Sequence, residues 1–243
     1  MPQEALTITL ANLVYFEKAQ LNQPLTNRLI RLAAFQNPEF YRAQAMRMSV
    51  WDKPRVIGCA ENFPQHIGLP RGCLDAAREL LRINGIHCDI QDERIDGTPV
   101  DVEFAGRLRP DQEDAVAAML PHDVGVLCAP TAFGKTVTGA AIIARRRVNT
   151  LILVHRTELL RQWQERLNTF LGIEKGVVGT IGGVKRKPTG KIDIAVMQSL
   201  SRKGEVDPLV EDYGQIIVDD NFAGSEIGRT PVRPQGARHG RRA

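Results

Sequence analysis

The octapeptide APTAFGKT, Ala129 to Thr136, carries a glycine, a lysine and a hydroxyl residue in the order needed to hold a phosphate chain. It fits the loop pattern G-x-x-x-x-G-K-[ST] except that Ala129 stands at the first glycine. In such a loop, here Ala129, Pro130, Thr131, Ala132, Phe133 and Gly134, backbone N–H groups and the start of the next helix cradle phosphate oxygens. Lys135 would place its ammonium on the β and γ phosphates, and Thr136 would offer its hydroxyl to Mg²⁺. Gly134 lets the backbone turn with no Cβ in the way. A GKT triplet alone arises by chance, but one between an apolar run and an Ala-rich helix points to a nucleotide. A second acid-bearing feature is QIIVDD, an apolar strand ending on Asp219 and Asp220. A carboxylate at the end of a buried strand is well placed to meet a ligand or its metal.

These residues need a scaffold, and the pattern from Leu108 onward supplies one. DQEDAVAAML reads as a helix, VGVLCA as a short apolar strand, KTVTGAAIIARRR as a helix and TLILV as a strand. TELLRQWQERLNTFLG follows as a helix with Thr157 as N-cap and Gly172 at its end; GVVGTIG, KIDIAVMQ and QIIVDD are three more strands. Nearly all-apolar strands alternating with helices predict an α/β fold, a parallel sheet covered by helices on both faces. Ligands of such sheets sit at the carboxyl ends of the strands.

Residues 1–104 read differently, as a small α+β domain. ALTITLANLVYF alternates like a strand or hairpin, and PLTNRLIRLAAF has helical spacing. NPEFYRAQAMRM offers Asn37 as N-cap with Pro38 at the first helical position. RVIGCA is a strand, and LPRGCLDAARELLRINGI a helix ended by Gly85; HCDIQDER and TPVDVEFAG alternate like edge strands. The four cysteines form no CxxC pair and read as reduced thiols. No window reaches the roughly 20 apolar residues of a membrane helix, and no targeting segment precedes the first strand, so a cytoplasmic protein is expected.

The formal charge of +4 is misleading about partners. From Asn221 onward there are five Arg and one Glu, which leaves 27 basic and 27 acidic residues before it. Within that neutral part, Arg145, Arg146 and Arg147 end a helix, where cations suit the exposed carbonyls. Lys185, Arg186, Lys187 and Lys191 fall in a loop open to either phosphate contact or plain solvation. Trp163 reads as core, and His66 as structural.

APTAFGKT, with RLRPDQEDAV before it and TLILVHRTELLRQW after it, resembles the first RecA-like lobe of superfamily 2 DEAD/DEAH-type DNA helicases, in the XPB-like and type III restriction subunit-like branch. The resemblance spans residues 105–220 and implies a RecA-like sheet, ATP with Mg²⁺ as cofactors, and DNA as partner. It implies that Gln112 of LRPDQ reads the adenine edge, that His155 and Arg156 belong to a backbone-contacting motif running from Val154 to Trp163, and that Gln198 and Ser199 lie near the DNA path. It makes Asp219 the residue that holds Mg²⁺ through water. RLAAFQNPEFYRAQAMR and LPRGC resemble the upstream region of some bacterial members, which suggests a DNA-engaging accessory role for residues 1–104.

The chain departs from this family after Asp219. The family places a water-polarising Glu next, whereas Asp220 is one methylene, about 1.5 Å, shorter. The box reads Asp-Asp-Asn-Phe, and 24 residues follow Asp219 where a second lobe needs on the order of 100. The tail 221–243 is Arg- and Gly-rich and is expected to be disordered, as a basic arm or the product of a shifted reading frame. The expectation is an ATP-binding helicase or translocase lobe, truncated and lacking turnover without a second lobe or a partner subunit in trans. The rivals are a non-catalytic ATP-responsive DNA-binding module and a P-loop phosphotransferase; LRPDQ and Gln162-Trp163 speak against the latter.

Overall fold

A computed structural model describes residues 5–173, 176–182, 185–202 and 205–219. Asp220 and the tail 221–243 lie outside the described residues. Contacts divide the chain into two compact units, Met1–Arg94 and Ile95–Ala243. The division falls ten residues ahead of the expected boundary at 104, because Val100 and Val102 bury with the second unit.

In the first unit the strands are β1 (Leu6–Leu10), β2 (Val14–Glu17), β3 (Ala34–Gln36), β4 (Val56–Gly58), β5 (Glu61–Asn62), β6 (His66–Leu69) and β7 (Cys88–Asp92). The helices are α1 (Gln23–Leu32), α2 (Pro38–Ala45) and α3 (Leu74–Ile83). ALTITLANLVYF forms the β1–β2 hairpin, within a sheet ordered β5-β6-β2-β1-β7. The alternation that makes Leu6, Ile8 and Leu10 point one way sets them against Leu25, Leu29, Ala77 and Leu81 of α1 and α3. Asn22 and Asn37 cap α1 and α2 by accepting from Leu25 N–H and Glu39 N–H, each with Pro in the first turn. Gly85, at φ +69°, terminates α3 in the left-handed region.

The second unit contains α4 (Pro110–Met119), α5 (Lys135–Arg146), β8 (Thr150–Val154), α6 (Thr157–Phe170), β9 (Val178–Gly182), β10 (Lys185–Lys187), β11 (Ile192–Val196), β12 (Ser201–Arg202), β13 (Glu205–Val206) and β14 (Gln215–Asp219). Its main sheet is ordered β10-β9-β11-β8-β14, parallel except for β10. Strand parity assigns the two faces. Ile152, Val154, Ile192, Ile194 and Ile217 pack under α5 and α6, while Leu151, Ile181 and Ala195 face Leu200, Tyr213 and the turn at Pro208–Asp212.

Two expected strands are absent from the sheet. VGVLCA pairs with nothing among the described residues, and Val124 and Val126 stand exposed. β14 has β8 as its one neighbour among the described residues, so its other edge carries no described partner strand. Ile216 and Val218, on the outward parity of β14, are exposed as well. TPVDVEFAG makes one bridge, Pro99 to Val148, and its alternation instead reflects Val100 and Val102 dipping into the core. Arg156, not Thr157, occupies the N-cap of α6.

Candidate nucleotide site

The site is assembled by lengths that match. Arg146 ends α5 and Thr150 begins β8, so the two elements run antiparallel with a short link. At about 1.5 Å per residue, α5 spans about 18 Å; at about 3.3 Å per residue, β8 spans about 17 Å. The start of α5, with Lys135 and Thr136, therefore comes level with Val154 at the carboxyl edge of the sheet. Val154 is in register with Val196 on one side and Asp219 on the other. His155 and Arg156, Gln198 and Ser199, and Asp219 thus leave the sheet along the same edge as the loop.

The loop is braced from α4. The Gln112 amide, almost wholly buried, accepts from Arg109 N–H at 3.0 Å and donates to Phe133 C=O at 2.8 Å. Arg109 donates to the same carbonyl at 2.7 Å and sits 5.8 Å over the Phe133 ring. An amide has two N–H donors and two lone pairs, so one of each remains on Gln112 for a ligand. Ala132 and Gly134 both take positive φ, +65° and +87°, which turns successive N–H groups of the loop toward one side. The first N–H groups of α5 have no acceptor within the helix, which makes its start an anion-binding end. Among the described residues Lys135 makes no ion pair.

Gly134 has a second reason to be glycine. A Cβ there would stand 2.5 Å from Gln112 Nε2. Gly134→Ala is expected to lower stability by about 1–3 kcal/mol in thermal melts, through left-handed strain and displacement of the amide. Adding Gln112→Ala should recover part of that loss; strictly additive effects would show that the two positions do not couple.

Asp219 is tied to the loop's helix through Trp163. The indole N–H of this buried ring donates to Asp219 Oδ2 at 2.6 Å. The ring lies against Gly139 of α5, where a Cβ would come within 2.7 Å of it. Thr136 is one turn before Gly139 on the same helix face. One carboxylate oxygen of Asp219 is thus held by protein, and the hydroxyl of Thr136 lies on the side of α5 that faces it.

Residues 105–222 match the family described as type III restriction enzyme, res subunit. Over 120 residues the chain is 37% identical to the DNA 3'-5' helicase XPB of Kineococcus radiotolerans, covering 46% of this chain and 21% of that protein. Over 92 residues it is 34% identical to the DNA 3'-5' translocase XPB2 of Sulfurisphaera tokodaii, covering 37% and 21%. Residues 105–222 are a superfamily 2 helicase-type ATP-binding lobe. The crystal structure of the UvsW helicase from bacteriophage T4 shares the fold, with a TM-score of 0.57 at 13% identity over 88% of this chain and 91% of that one. The chain spans about a fifth of the length of these two cellular relatives.

The remaining sequence-derived candidates of the helicase lobe separate into exposed and engaged residues. Arg156 and Gln198 are exposed, and Ser199 is half-buried in the turn Met197–Ser199. His155 keeps its Nδ1 buried with no hydrogen-bond partner among the described residues, at the carboxyl edge of the sheet. The arginines ending α5 are occupied by structure: Arg145 pairs with Glu113, Arg146 donates to His122 C=O, and Arg147 pairs with Asp101. Arg186 pairs with Asp207, so the basic run of β10 is partly neutralised. The sequence reading missed Trp163 as a site residue. The signal was its spacing from Gly139, a glycine in mid-helix, which asks for a large neighbour.

All four cysteines are free. Among the described residues no helix is long and apolar enough to cross a membrane.

Proposed function

We propose that the helicase lobe binds Mg·ATP and passes its occupancy to DNA. The phosphates lie on the loop Ala129–Gly134 and the start of α5, with Lys135 on the β and γ positions. Thr136 and Asp219 hold Mg²⁺, the latter through water, while Gln112 reads adenine with its remaining donor and acceptor. The observation that carries this reading is the convergence of the loop, Thr136 and Asp219 at one sheet edge, with Trp163 spanning α5 and β14. DNA is the substrate named in both cellular relatives, and His155, Arg156, Gln198 and Ser199 along the same edge are its proposed contacts.

Hydrolysis on these residues is slow. Asp220 stands where the family's Glu polarises the attacking water, and its carboxylate falls about 1.5 Å short, a displacement large enough to matter to a step governed by geometry. A second lobe, in the same protein or in trans, completes the closure over nucleotide and DNA. The rival, a non-catalytic ATP-responsive DNA-binding module, rests on the same Asp220 substitution.

The test is titration with a fluorescent ATP analogue and Mg²⁺, followed by phosphate release with and without DNA. Wild type should bind, and Lys135→Ala should weaken binding about tenfold or more, as expected for a charge-assisted contact of about 1.5–3 kcal/mol. Equal affinity of the two proteins would sink the assignment of the loop. With a second lobe supplied in trans, Asp220→Glu is expected to raise DNA-stimulated phosphate release; if that variant then stays at background, the non-catalytic module is the better reading.

A further inference from the structure

Between β3 and β4 the first unit makes an excursion, residues 37–55, none of which joins a core cluster. Its base is fixed by the β3–β4 pair and by Asn37, which donates from Nδ2 to Pro54 C=O and from its backbone to Arg55 C=O. Its outer end is unusual. Trp51, at the tip of a turn closed by Lys53 N–H on Val50 C=O, is 89% exposed. Met46 and Met48 beside it are also exposed. Lone exposed apolar residues are ordinary, but a tryptophan and two methionines on one short segment, outside the buried pair Phe40 and Ala43, ask for an occupant.

The charge of the segment says which kind. Between Asn37 and Gly58 stand Arg42, Arg47, Lys53 and Arg55 against Glu39 and Asp52. Three of the four cations are arginines, all exposed; Arg42 and Lys53, the latter paired with Asp52 at 3.1 Å, line a concavity of about 200 Å³ with Glu39, Ala43, Met46 and Met48. That volume is well below the roughly 300–1,000 Å³ of an enclosed small-molecule pocket, so contact is with a surface-bound chain. An exposed aromatic ring on the same short segment as exposed cations fits stacked bases and their phosphates.

A second, independent observation comes from the backbone. α2 ends with Met48 N–H on Ala43 C=O and Arg47 N–H on Gln44 C=O, the bonding of a Schellman cap. The left-handed residue of such a cap is usually Gly, yet here it is Arg47 at φ +56°. Strain of this kind persists where the side chain is needed. It leaves an exposed arginine at the helix end, between Met46 and Met48 in the chain.

We infer that the tip of this excursion binds single-stranded nucleic acid, with Trp51 stacking on a base and Arg42 and Arg47 on phosphates. Duplex is disfavoured because paired bases present no free face to the ring. The inference rests on the first unit and does not depend on ATP binding by the helicase lobe.

The experiment measures anisotropy of labelled oligothymidine and oligouridine, each about 20 nucleotides long to cover one binding site, with the full chain at low and moderate salt. Trp51→Ala should weaken binding about tenfold, since stacking on one aromatic ring commonly contributes that much or more. Arg47→Gly should weaken it several-fold and flatten the salt dependence, while leaving the melting temperature unchanged or higher. Preference between the two oligomers reports whether DNA or RNA is the natural strand. Unchanged affinity for both variants would overturn the inference. So would sedimentation showing that Trp51→Ala turns a dimer into a monomer without altering oligonucleotide binding, because the patch would then be a contact between copies.

Discussion

Asp193→Ala is expected to destabilise the second unit by about 3–5 kcal/mol, a drop of roughly 10–20 °C in a thermal melt. Asp193 is completely buried in β11, on the face opposite α5 and α6. Its carboxylate accepts from Thr189 N–H at 2.8 Å, from Thr189 Oγ1 at 3.1 Å, from Gly190 N–H at 2.7 Å and from the Tyr213 hydroxyl. One side chain thereby fixes the turn before β11 and the chain leading into β14. Truncation leaves the Tyr213 hydroxyl buried without that acceptor, at about 1–3 kcal/mol, removes the bonds that tie the turn's two backbone donors, and opens space in a packed interior. Gly179 of β9 completes the arrangement, since a Cβ there would overlap Asp193 Oδ1. Asp193→Asn should lose less, because an amide retains one acceptor. A melt of Asp193→Ala within about 3 °C of wild type, on the usual scale of a few degrees per kcal/mol, would show that the turn has other support.

The same pair gives the second unit a sensitivity to alkali. Burial and the neighbouring Asp193 carboxylate push the Tyr213 hydroxyl far above its ordinary value. The folded state therefore keeps a proton that the unfolded chain releases near the ordinary tyrosine value of 10.0. Stability from this group is complete below that pH and falls as pH rises past it.

Much of the scaffold was legible because its signals are local. Asn37 followed by Pro38, Gly85 after an amphipathic run, and the all-apolar strands each specify their element without reference to the rest of the chain. What was not legible depends on neighbours far away in sequence. VGVLCA has the composition of a buried strand, but a strand exists only beside another, and among the described residues nothing pairs with it. Asp193 sits in IDIAV as a polar interruption, and nothing within five residues announces that Tyr213 will donate to it. Of the candidate site, the loop, Gln112 and Asp219 could be named from motif order, since residue type and spacing carry the chemistry. The linkage through Trp163 could not, because it joins α5, α6 and β14 across long stretches of chain.

That linkage leads to the other large effect. Trp163→Ala should cost about 3–5 kcal/mol, as expected for emptying a fully packed aromatic position. This alone would say only that the ring is core. Trp163→Phe separates the two roles: it keeps most of the apolar volume against Gly139 but removes the indole N–H that holds Asp219 Oδ2. A part-buried hydrogen bond from a neutral donor to a carboxylate contributes about 1.5–3 kcal/mol, so its loss frees the side chain to leave its position at the strand end. If Asp219 positions Mg²⁺, the increase in nucleotide affinity brought by Mg²⁺ should shrink about tenfold in Trp163→Phe, while affinity measured in chelator stays near wild type. Gly139→Ala presses on the same ring from α5 and should move the Mg²⁺-dependent increment in the same direction. An undiminished Mg²⁺ increment in folded Trp163→Phe would confine the indole to packing. The contrast between Mg²⁺ and chelator removes general destabilisation from the comparison, because a loosened core would weaken both affinities together.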